Sequence, residues 1–287
     1  MGKLKALLLG GALAFGAVNT AQAADMPLAP PLEPIAPEPV AFGGWYLRGD
    51  VGVGAVFKPD IRSTFDASVT VPNARFNERS LGDTVFVGGG VGYQLNNWIR
   101  FDATGEYRTA QAFNAVESYN AGYFDYPQNA RRAFDTYTGQ VQSTVALANV
   151  YLDVFHYNCL TAFLGGGIGG SFNRLSNLTD VGVGGLNTGF GYAPERSSVS
   201  LAYQGTVGLS YDINPNLKLE LAYRYLDMGD VRSGAIDCRN TGTCPREVQK
   251  ISLASQDVKL GMRWLFSDIA PAPYYPPPPA PPLVRKY

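Results

Sequence analysis

The chain has 287 residues, a formal net charge of −1 and 16% charged residues. It has neither a basic excess nor a basic run, which excludes a nucleic-acid binder of the usual basic kind. With 33 glycines, 17 tyrosines and one histidine, the composition is also unlike that of a helix-rich soluble enzyme.

The first 23 residues are typical of a secretory signal peptide. Lys3 and Lys5 give a basic start, residues 7–18 form a short apolar core, and Ala21-Gln22-Ala23 is a small-residue cleavage site. The apolar core is shorter than the roughly 20 residues of a membrane-spanning helix, and no later segment is apolar for long enough. We therefore predict a secreted chain without a transmembrane helix.

Two proline-rich segments flank the rest of the mature chain. Residues 24–42 contain six prolines and residues 267–287 contain eight, which favours extended, solvated arms over packed structure. For the C-terminal tail, docking to a periplasmic partner or the cell wall is an alternative.

Between the arms, residues 43–266 alternate between apolar and polar side chains with a period of two. This is the pattern of β-strands that have one apolar face. The alternation predicts eight strands: Trp45–Phe57, Thr84–Leu95, Ile99–Arg108, a fourth ending near Phe155, Thr161–Phe172, Ser197–Ile213, Leu217–Leu226 and Ser255–Phe266. In the fourth strand, Gln140, Gln142 and Thr144 do not share the parity of Asn149, so a bulge is expected near residues 143–147.

Short and long connections alternate strictly between these strands. The long loops are predicted at residues 58–83, 111–135, 174–196 and about 230–250. A soluble sandwich would show the same local alternation. The even strand count, with short turns at one end and long loops at the other, favours an antiparallel up-and-down transmembrane barrel with its apolar face outward.

Two stretches carry a resemblance to a known family. The last strand, VKLGMRWLF, ends with Trp264 and Phe266, as the terminal strand of outer-membrane barrels does. The stretch YDINPNLKLELAYRYLD resembles the opacity-type and OmpA-transmembrane-type eight-stranded family, which includes surface antigens and porin-like proteins of an alphaproteobacterial style. The resemblance covers residues 43–266.

The resemblance implies a barrel in the outer membrane of a Gram-negative bacterium, with both termini in the periplasm. Outer-membrane lipid and the barrel-assembly machinery would be its partners, and a host or cell-surface ligand could bind its loops. Family members contribute to envelope integrity or adhesion, and some bind haem. Only 21 residues follow Phe266, so the peptidoglycan-binding domain of full-length OmpA is not implied.

Twelve charged residues are predicted to face the barrel interior. An eight-stranded barrel is only wide enough for side chains to fill it, and inward glycines on three strands would make room for long ones. We expect these charges to neutralise one another and plug the lumen; a charged, water-filled pore is the alternative. The twelve are Arg48, Asp50, Arg100, Asp102, Glu106, Arg108, Asp153, Glu220, Arg224, Asp257, Lys259 and Arg263.

The cysteines suggest one disulfide. Cys238 and Cys244 lie in the fourth long loop, whereas Cys159 lies at the opposite end of the barrel, roughly 30 Å away. A disulfide needs Cα atoms within about 7 Å, so Cys238–Cys244 is the predicted pair. Cys159 would then be a free or an intermolecular thiol.

Three further features could carry chemistry. Residues 165–170 match the dinucleotide pattern G-x-G-x-x-G, but no helix or well-spaced acid follows, so glycines facing the lumen are the better account. His156 is the sole candidate for acid–base catalysis, yet it falls on a predicted periplasmic turn. The aromatic second loop could bind haem or a partner; its aromatic residues are Tyr119, Tyr123, Phe124, Tyr126 and Phe134.

The sequence thus predicts a non-enzymatic surface barrel whose four long loops serve adhesion or act as antigens. No catalytic residue, cofactor or metal site is predicted. The alternative functions are a small porin and an outer-membrane receptor for haem or another small ligand.

Overall fold

The computed structural model describes residues 43–56, 59–64, 74–120, 132–183, 189–239 and 246–266. The predicted signal peptide and both proline-rich arms lie outside the described residues, so the division into these segments stays a prediction. Among the described residues, no helix is long and apolar enough to cross a membrane.

The described chain is built from antiparallel β-strands. Eight long strands form the wall of a barrel: β1 (Gly44–Ala55), β4 (Thr84–Gln94), β5 (Ile99–Asn120), β6 (Arg132–Tyr157), β7 (Leu160–Val183), β9 (Arg196–Asp212), β10 (Leu217–Arg232) and β12 (Gln249–Leu265). Four short strands lie between them: β2 (Asp60–Ser63), β3 (Arg75–Leu81), β8 (Phe190–Ala193) and β11 (Asp237–Cys238).

The first and last strands close the sheet. β1 pairs with β4 on one side and with β12 on the other, and the series continues through β5, β6, β7, β9 and β10 back to β12. Each of the eight long strands therefore has two neighbours, which leaves no open edge to face lipid. The predicted all-β, eight-stranded, up-and-down barrel is confirmed.

The alternation sorts side chains between lipid and lumen. In β12, each residue from Ser255 to Leu265 alternates with the next between buried and exposed. The outward apolar side chains are about half exposed, and they form the apolar band that faces lipid in a membrane barrel. This lipid-facing belt includes Leu47, Val51, Val53, Val87, Val91, Phe101, Tyr107, Val150, Leu164, Ile168, Phe172, Val199, Leu201, Tyr203, Leu221, Tyr223, Val258, Leu260 and Met262.

Tight turns lie at one end of the barrel, which we call the turn end; the opposite end is the loop end. At two of the turns, an asparagine side chain replaces missing backbone partners. Asn96 Oδ1 accepts hydrogen bonds from the backbone N–H groups of Trp98 and Ile99, both at 2.8 Å. Asn214 Oδ1 does the same for Asn216 and Leu217.

The strands extend further toward the loop end than the sequence predicted. Large parts of the second and third predicted loops belong to β5, β6 and β7, and the first loop contains β2 and β3. Beyond the belt the polarity reverses: Gln140 faces outward and is exposed, while Val141 faces inward and is buried. The alternation inside a membrane places apolar residues outward, so the sequence predicts these extensions as loops.

The same reversal explains why the predicted bulge at residues 143–147 was wrong. Residues 143–147 pair continuously with both neighbours. The irregularities lie at Thr138/Gln140 and Asp153/Phe155 on the β7 side and, in β5, between Arg108 and Gln111, which face Ser143 and Val141. Val145 and Leu147 share the inward parity of Asn149. The change from polar to apolar inward residues therefore needs no bulge, because the lumen above the charged layer is lined by apolar side chains.

Candidate functional site: the lumen and the loop-end sheet

The structure turns all twelve charged side chains into the barrel interior. The set contains six basic and six acidic residues, so the formal charges cancel. Ion pairs connect every member to at least one other. Burial of a charge is tolerated only when such partners are present. We call these residues the lumen network.

Near the turn end, the network centres on the carboxylate of Glu220. Its oxygens lie 3.0 Å from Arg263 Nε and 3.4 Å from Arg48 Nη2, and a third pair joins it to Arg100. Arg100 also lies 3.5 Å from Asp153. One buried carboxylate thus holds three guanidinium groups from three different strands.

A second centre lies nearer the loop end, at Asp257. Arg108 approaches both of its oxygens, at 2.8 and 2.9 Å, in a bidentate geometry. Arg224 reaches the same carboxylate at 2.6 Å and also lies 2.7 Å from Glu106. Bidentate arginine–carboxylate pairs are among the strongest charge-assisted hydrogen bonds.

Arg48 and Asp50 extend the network from the Glu220 centre toward the Asp257 centre. Their side chains form a two-fold contact, at 2.8 and 2.9 Å, and Lys259 Nζ lies 3.5 Å from Asp50. Arg48 also donates to Asp102 at 2.7 Å. Asp102 accepts a further hydrogen bond of 2.6 Å from Asn149. Asn149 in turn accepts a hydrogen bond of 2.6 Å from Gln204, which accepts one of 3.3 Å from Arg224, so hydrogen bonds join the two centres.

Aromatic rings complete the lumen, and the sequence analysis missed them. The guanidinium of Arg100 lies 4.6 Å from the ring centre of Tyr151 and 4.5 Å from that of Phe163. Arg108 and Arg224 lie 4.9 and 4.8 Å from the ring of Phe86. These geometries suit cation–π attraction. The rings also cover guanidinium faces that no carboxylate reaches.

The inward glycines make room mainly for these rings. A Cβ added to Gly92 would collide with the ring of Tyr46, and one added to Gly165 would collide with the ring of Tyr151. Charged side chains occupy the corresponding space only in places, such as Arg108 and Asp257 beside Gly54. The sequence predicts long arginine and glutamate side chains there.

Above the network, the lumen is filled by an apolar core. Its buried members include Leu81, Phe113, Val141, Val145, Leu147, Leu175, Leu226, Met228, Val231, Ile251 and Leu253. The described interior therefore has two layers, one of paired charges and one of packed hydrocarbon. Both layers fill the barrel with side chains, as eight strands are expected to allow.

Acidic groups gather inside the loop end, above the apolar core. The Tyr137 hydroxyl lies 3.0 Å from Glu117 and 3.2 Å from Glu247, and Tyr119 donates to Asp135. Burial, with Asp135, Glu247 and Glu117 nearby, raises the pKa of Asp180 to about 8. Burial likewise raises the pKa of Asp135 to about 6, although Tyr119 acts against the shift.

The outer surface of the loop end carries an unusual apolar face. β6, β7, β8 and β11 continue as one sheet past the belt, and the outward residues of this sheet form cross-strand pairs such as Phe134 with Val183 and Val181 with Phe190. From Phe172 in the belt to Val181 is about 30 Å along the strand, or roughly 20 Å of height at the usual tilt. The loop-end face consists of Phe134, Val181, Val183, Phe190 and Tyr192, which are 38–54% exposed.

The remaining predicted residues are scattered. His156 is exposed within β6, not on the turn, and its ring lies 5.2 Å from that of Trp98. Cys159 is a free, exposed thiol. Cys238 lies in β11, but Cys244 is outside the described residues, so their disulfide stays a prediction.

The aromatic second loop is divided by the structure. Tyr119 faces the interior beside Asp135, and Phe134 faces outward. The other three aromatic residues, Tyr123, Phe124 and Tyr126, lie outside the described residues. The glycine run at residues 165–170 lies inside β7. At the turn end, Trp264 and Phe266 are both half exposed, and Phe266 N–H donates to the Trp45 carbonyl at 2.9 Å.

Comparison with known proteins identifies the family. A family model described as "Surface antigen" matches residues 58–266. An uncharacterized protein of Brucella abortus (strain 2308) is 30% identical over 230 residues, covering 73% of this chain and 76% of its own. A protein named a putative adhesin, from Rickettsia bellii (strain RML369-C), is 25% identical and covers 77% of this chain and 87% of its own.

Among solved structures, the outer membrane protein OprG from Pseudomonas aeruginosa is similar with a TM-score of 0.43 and 14% identity, covering 79% of this chain and 97% of its own. The family match spans most of the described barrel, and the belt suits a membrane. The chain belongs to the surface antigen family and is an eight-stranded barrel of the Gram-negative outer membrane.

Proposed function

We propose that this protein is a non-enzymatic surface barrel that binds a partner outside the cell through its loop end. With the loop end outside the cell, both termini lie in the periplasm. Trp264 and Phe266, at the end of the last strand, are recognised by the barrel-assembly machinery. The lumen network and the apolar core above it act as a permanent plug. The function then resides on the outside of the barrel, at the end that extends furthest from the belt.

The observation that carries the proposal is the loop-end face. Five large apolar side chains are exposed on one sheet roughly 20 Å beyond the belt, where lipid does not cover them. Exposed patches of this kind, rimmed by polar residues, mark protein interaction sites. Arg75, Glu78 and Asp237 provide such a rim. The name of the Rickettsia bellii relative, a putative adhesin, agrees with this role.

The test is adhesion of whole cells that display the barrel. Phe134, Val181 and Val183 are replaced together by threonine, which keeps the strand preference but removes the apolar surface. The matched control replaces Asn114 and Gln140, two outward residues of the same sheet, by threonine. We expect adhesion to cultured host cells to fall at least tenfold in the first variant and to persist in the control. Unchanged adhesion in the first variant, at equal surface display, would rule out the loop-end face.

A further inference from the structure

A row of basic side chains crosses three strands on the outer surface of the barrel. Arg232 in β10 is the cross-strand partner of Lys250 in β12, and Lys250 is the partner of Arg62 in β2. Arg62 and Arg232 are exposed, and Lys250 is partly exposed. Like charges that lie directly opposite each other on neighbouring strands destabilise a sheet. The row therefore needs anionic neighbours.

The described acids supply only part of the neutralisation. Asp230, Ser252 and Asp60 form the adjacent cross-strand row. Asp230 lies 2.8 Å from Lys250, and Asp60 is shared between Arg62 at 3.1 Å and Arg79 at 3.6 Å. Two carboxylates thus serve the three bases of the row and Arg79.

Arg232 is the least compensated member of the row. No ion pair among the described residues includes it, and its side chain is exposed. The exposed pairs beside it add little, since such surface ion pairs contribute at most about 1 kcal/mol. The patch keeps an excess of positive charge over the described acids.

The basic row adjoins the boundary of the belt. The backbone N–H of Arg232 donates to Ser198 Oγ at 3.3 Å. The next residue, Val199, is 80% exposed and is the last outward apolar residue of β9 toward the loop end, after Leu201 and Tyr203. The backbone of Arg232 therefore lies level with the end of the apolar belt on β9, where hydrocarbon gives way to lipid headgroups.

We propose that Arg62, Lys250 and Arg232 form a binding site for the phosphate of a membrane lipid headgroup. The site uses three cations from adjacent strands. With Arg79 counted, four bases face the two carboxylates of Asp60 and Asp230, and the excess of two positive charges matches the charge of a phosphate monoester. Its position at the belt boundary selects a phosphate that is anchored in the membrane rather than free in solution. The inference does not depend on adhesion through the loop-end face, because the two surfaces share no residue.

The test measures heat unfolding of the refolded full-length barrel in vesicles. Phosphatidylcholine vesicles with and without lipid A are compared, and a third sample contains phosphatidylcholine and inorganic phosphate. The row variant carries Arg62→Gln, Lys250→Gln and Arg232→Gln. The control variant carries Arg75→Gln, Arg239→Gln and Arg246→Gln, which removes the same charge from scattered exposed positions at the loop end.

We expect lipid A to raise the unfolding midpoint of the wild type and the control variant by several degrees and to leave the row variant unchanged. At about 1 kcal/mol for each basic residue near a charged membrane surface, the row variant should bind lipid A roughly a hundredfold more weakly. Equal midpoints in phosphatidylcholine alone would show that the row variant folds. If it does not fold, Arg232→Gln alone is used, with a loss of about fivefold expected.

Three results would overturn the proposal. The row variant could keep the response to lipid A, or the control variant could lose it to the same extent, which would indicate a general charge effect. Alternatively, inorganic phosphate could raise the midpoint as much as lipid A does. Such a result would indicate a site for free anions instead of a lipid headgroup.

Discussion

Removing the charge of Glu220 should destabilise the barrel more than any exposed charge change. Glu220 is 3% exposed and faces Arg48, Arg100 and Arg263. Replacing it by glutamine keeps the shape and one acceptor but leaves six lumen cations against five anions. Breaking a buried ion pair from one side costs about 3–5 kcal/mol, so we expect a loss near the lower limit, about 3 kcal/mol.

The measurement is urea unfolding of the refolded barrel in lipid vesicles, followed by tryptophan fluorescence. The control is Glu195→Gln, because Glu195 pairs with Arg174 at 2.6 Å with both side chains nearly half exposed. An exposed pair of this kind contributes about 0–1 kcal/mol. The two variants remove the same charge, so the difference between them reports burial.

A double variant separates charge balance from lost contacts. Glu220→Gln combined with Arg263→Gln leaves five cations and five anions in the lumen. We expect the double variant to be more stable than the sum of the two single losses predicts, because each single change leaves a buried charge without its partner. A loss below about 1 kcal/mol for Glu220→Gln, or strictly additive losses, would refute the balanced network.

Three further predictions follow from single positions. Gly169→Ala should destabilise the barrel by about 1–3 kcal/mol, since its methyl group would meet the backbone carbonyl of Ala146, whereas Gly105→Ala, where nothing lies within 4 Å, should be neutral in the same unfolding assay. The raised pKa of Asp180, about 8, means that its contribution to stability is complete in acid, below the unfolded pKa, and is lost as the pH rises toward 8. Hydrogen exchange of the loop-end amides should therefore speed up between pH 5.5 and 8.5 beyond the intrinsic pH effect, and Asp180→Asn should remove most of this change. Finally, maleimide should label one thiol per unreduced folded chain, at Cys159, and labelling at Cys238 would contradict the predicted disulfide.

Alternation, together with the order of short and long connections, predicted the membrane part of the fold. In β12, the charged residues Asp257, Lys259 and Arg263 alternate with the outward Val258, Leu260 and Met262. The even strand count and the alternating connections then favoured a barrel in lipid over a soluble sandwich. The same parity identified every member of the lumen network. Which arginine pairs with which carboxylate depends on register and strand tilt, and a single sequence does not contain these.

The parts that were missed share a physical cause. Beyond the bilayer, the wall faces water and the interior becomes apolar, so Gln140 faces outward and Val141 inward, the reverse of the rule inside the membrane. Phe86 and Phe163 were overlooked because their neighbours on both sides along the strand are apolar or small. The sequence does contain a signal for them: each ring lies two residues from an inward glycine and therefore on the same face of its strand. This places both rings in the lumen.

The central claim is that side chains close the lumen, and electrical conductance tests it most directly. The refolded barrel is inserted into a planar lipid bilayer, and current is recorded across the range of voltages the bilayer tolerates. A barrel filled by a neutral charge network and an apolar core should show no steady open level. A reproducible open level that changes when Glu220 or Arg48 is replaced would contradict the account and favour a small porin.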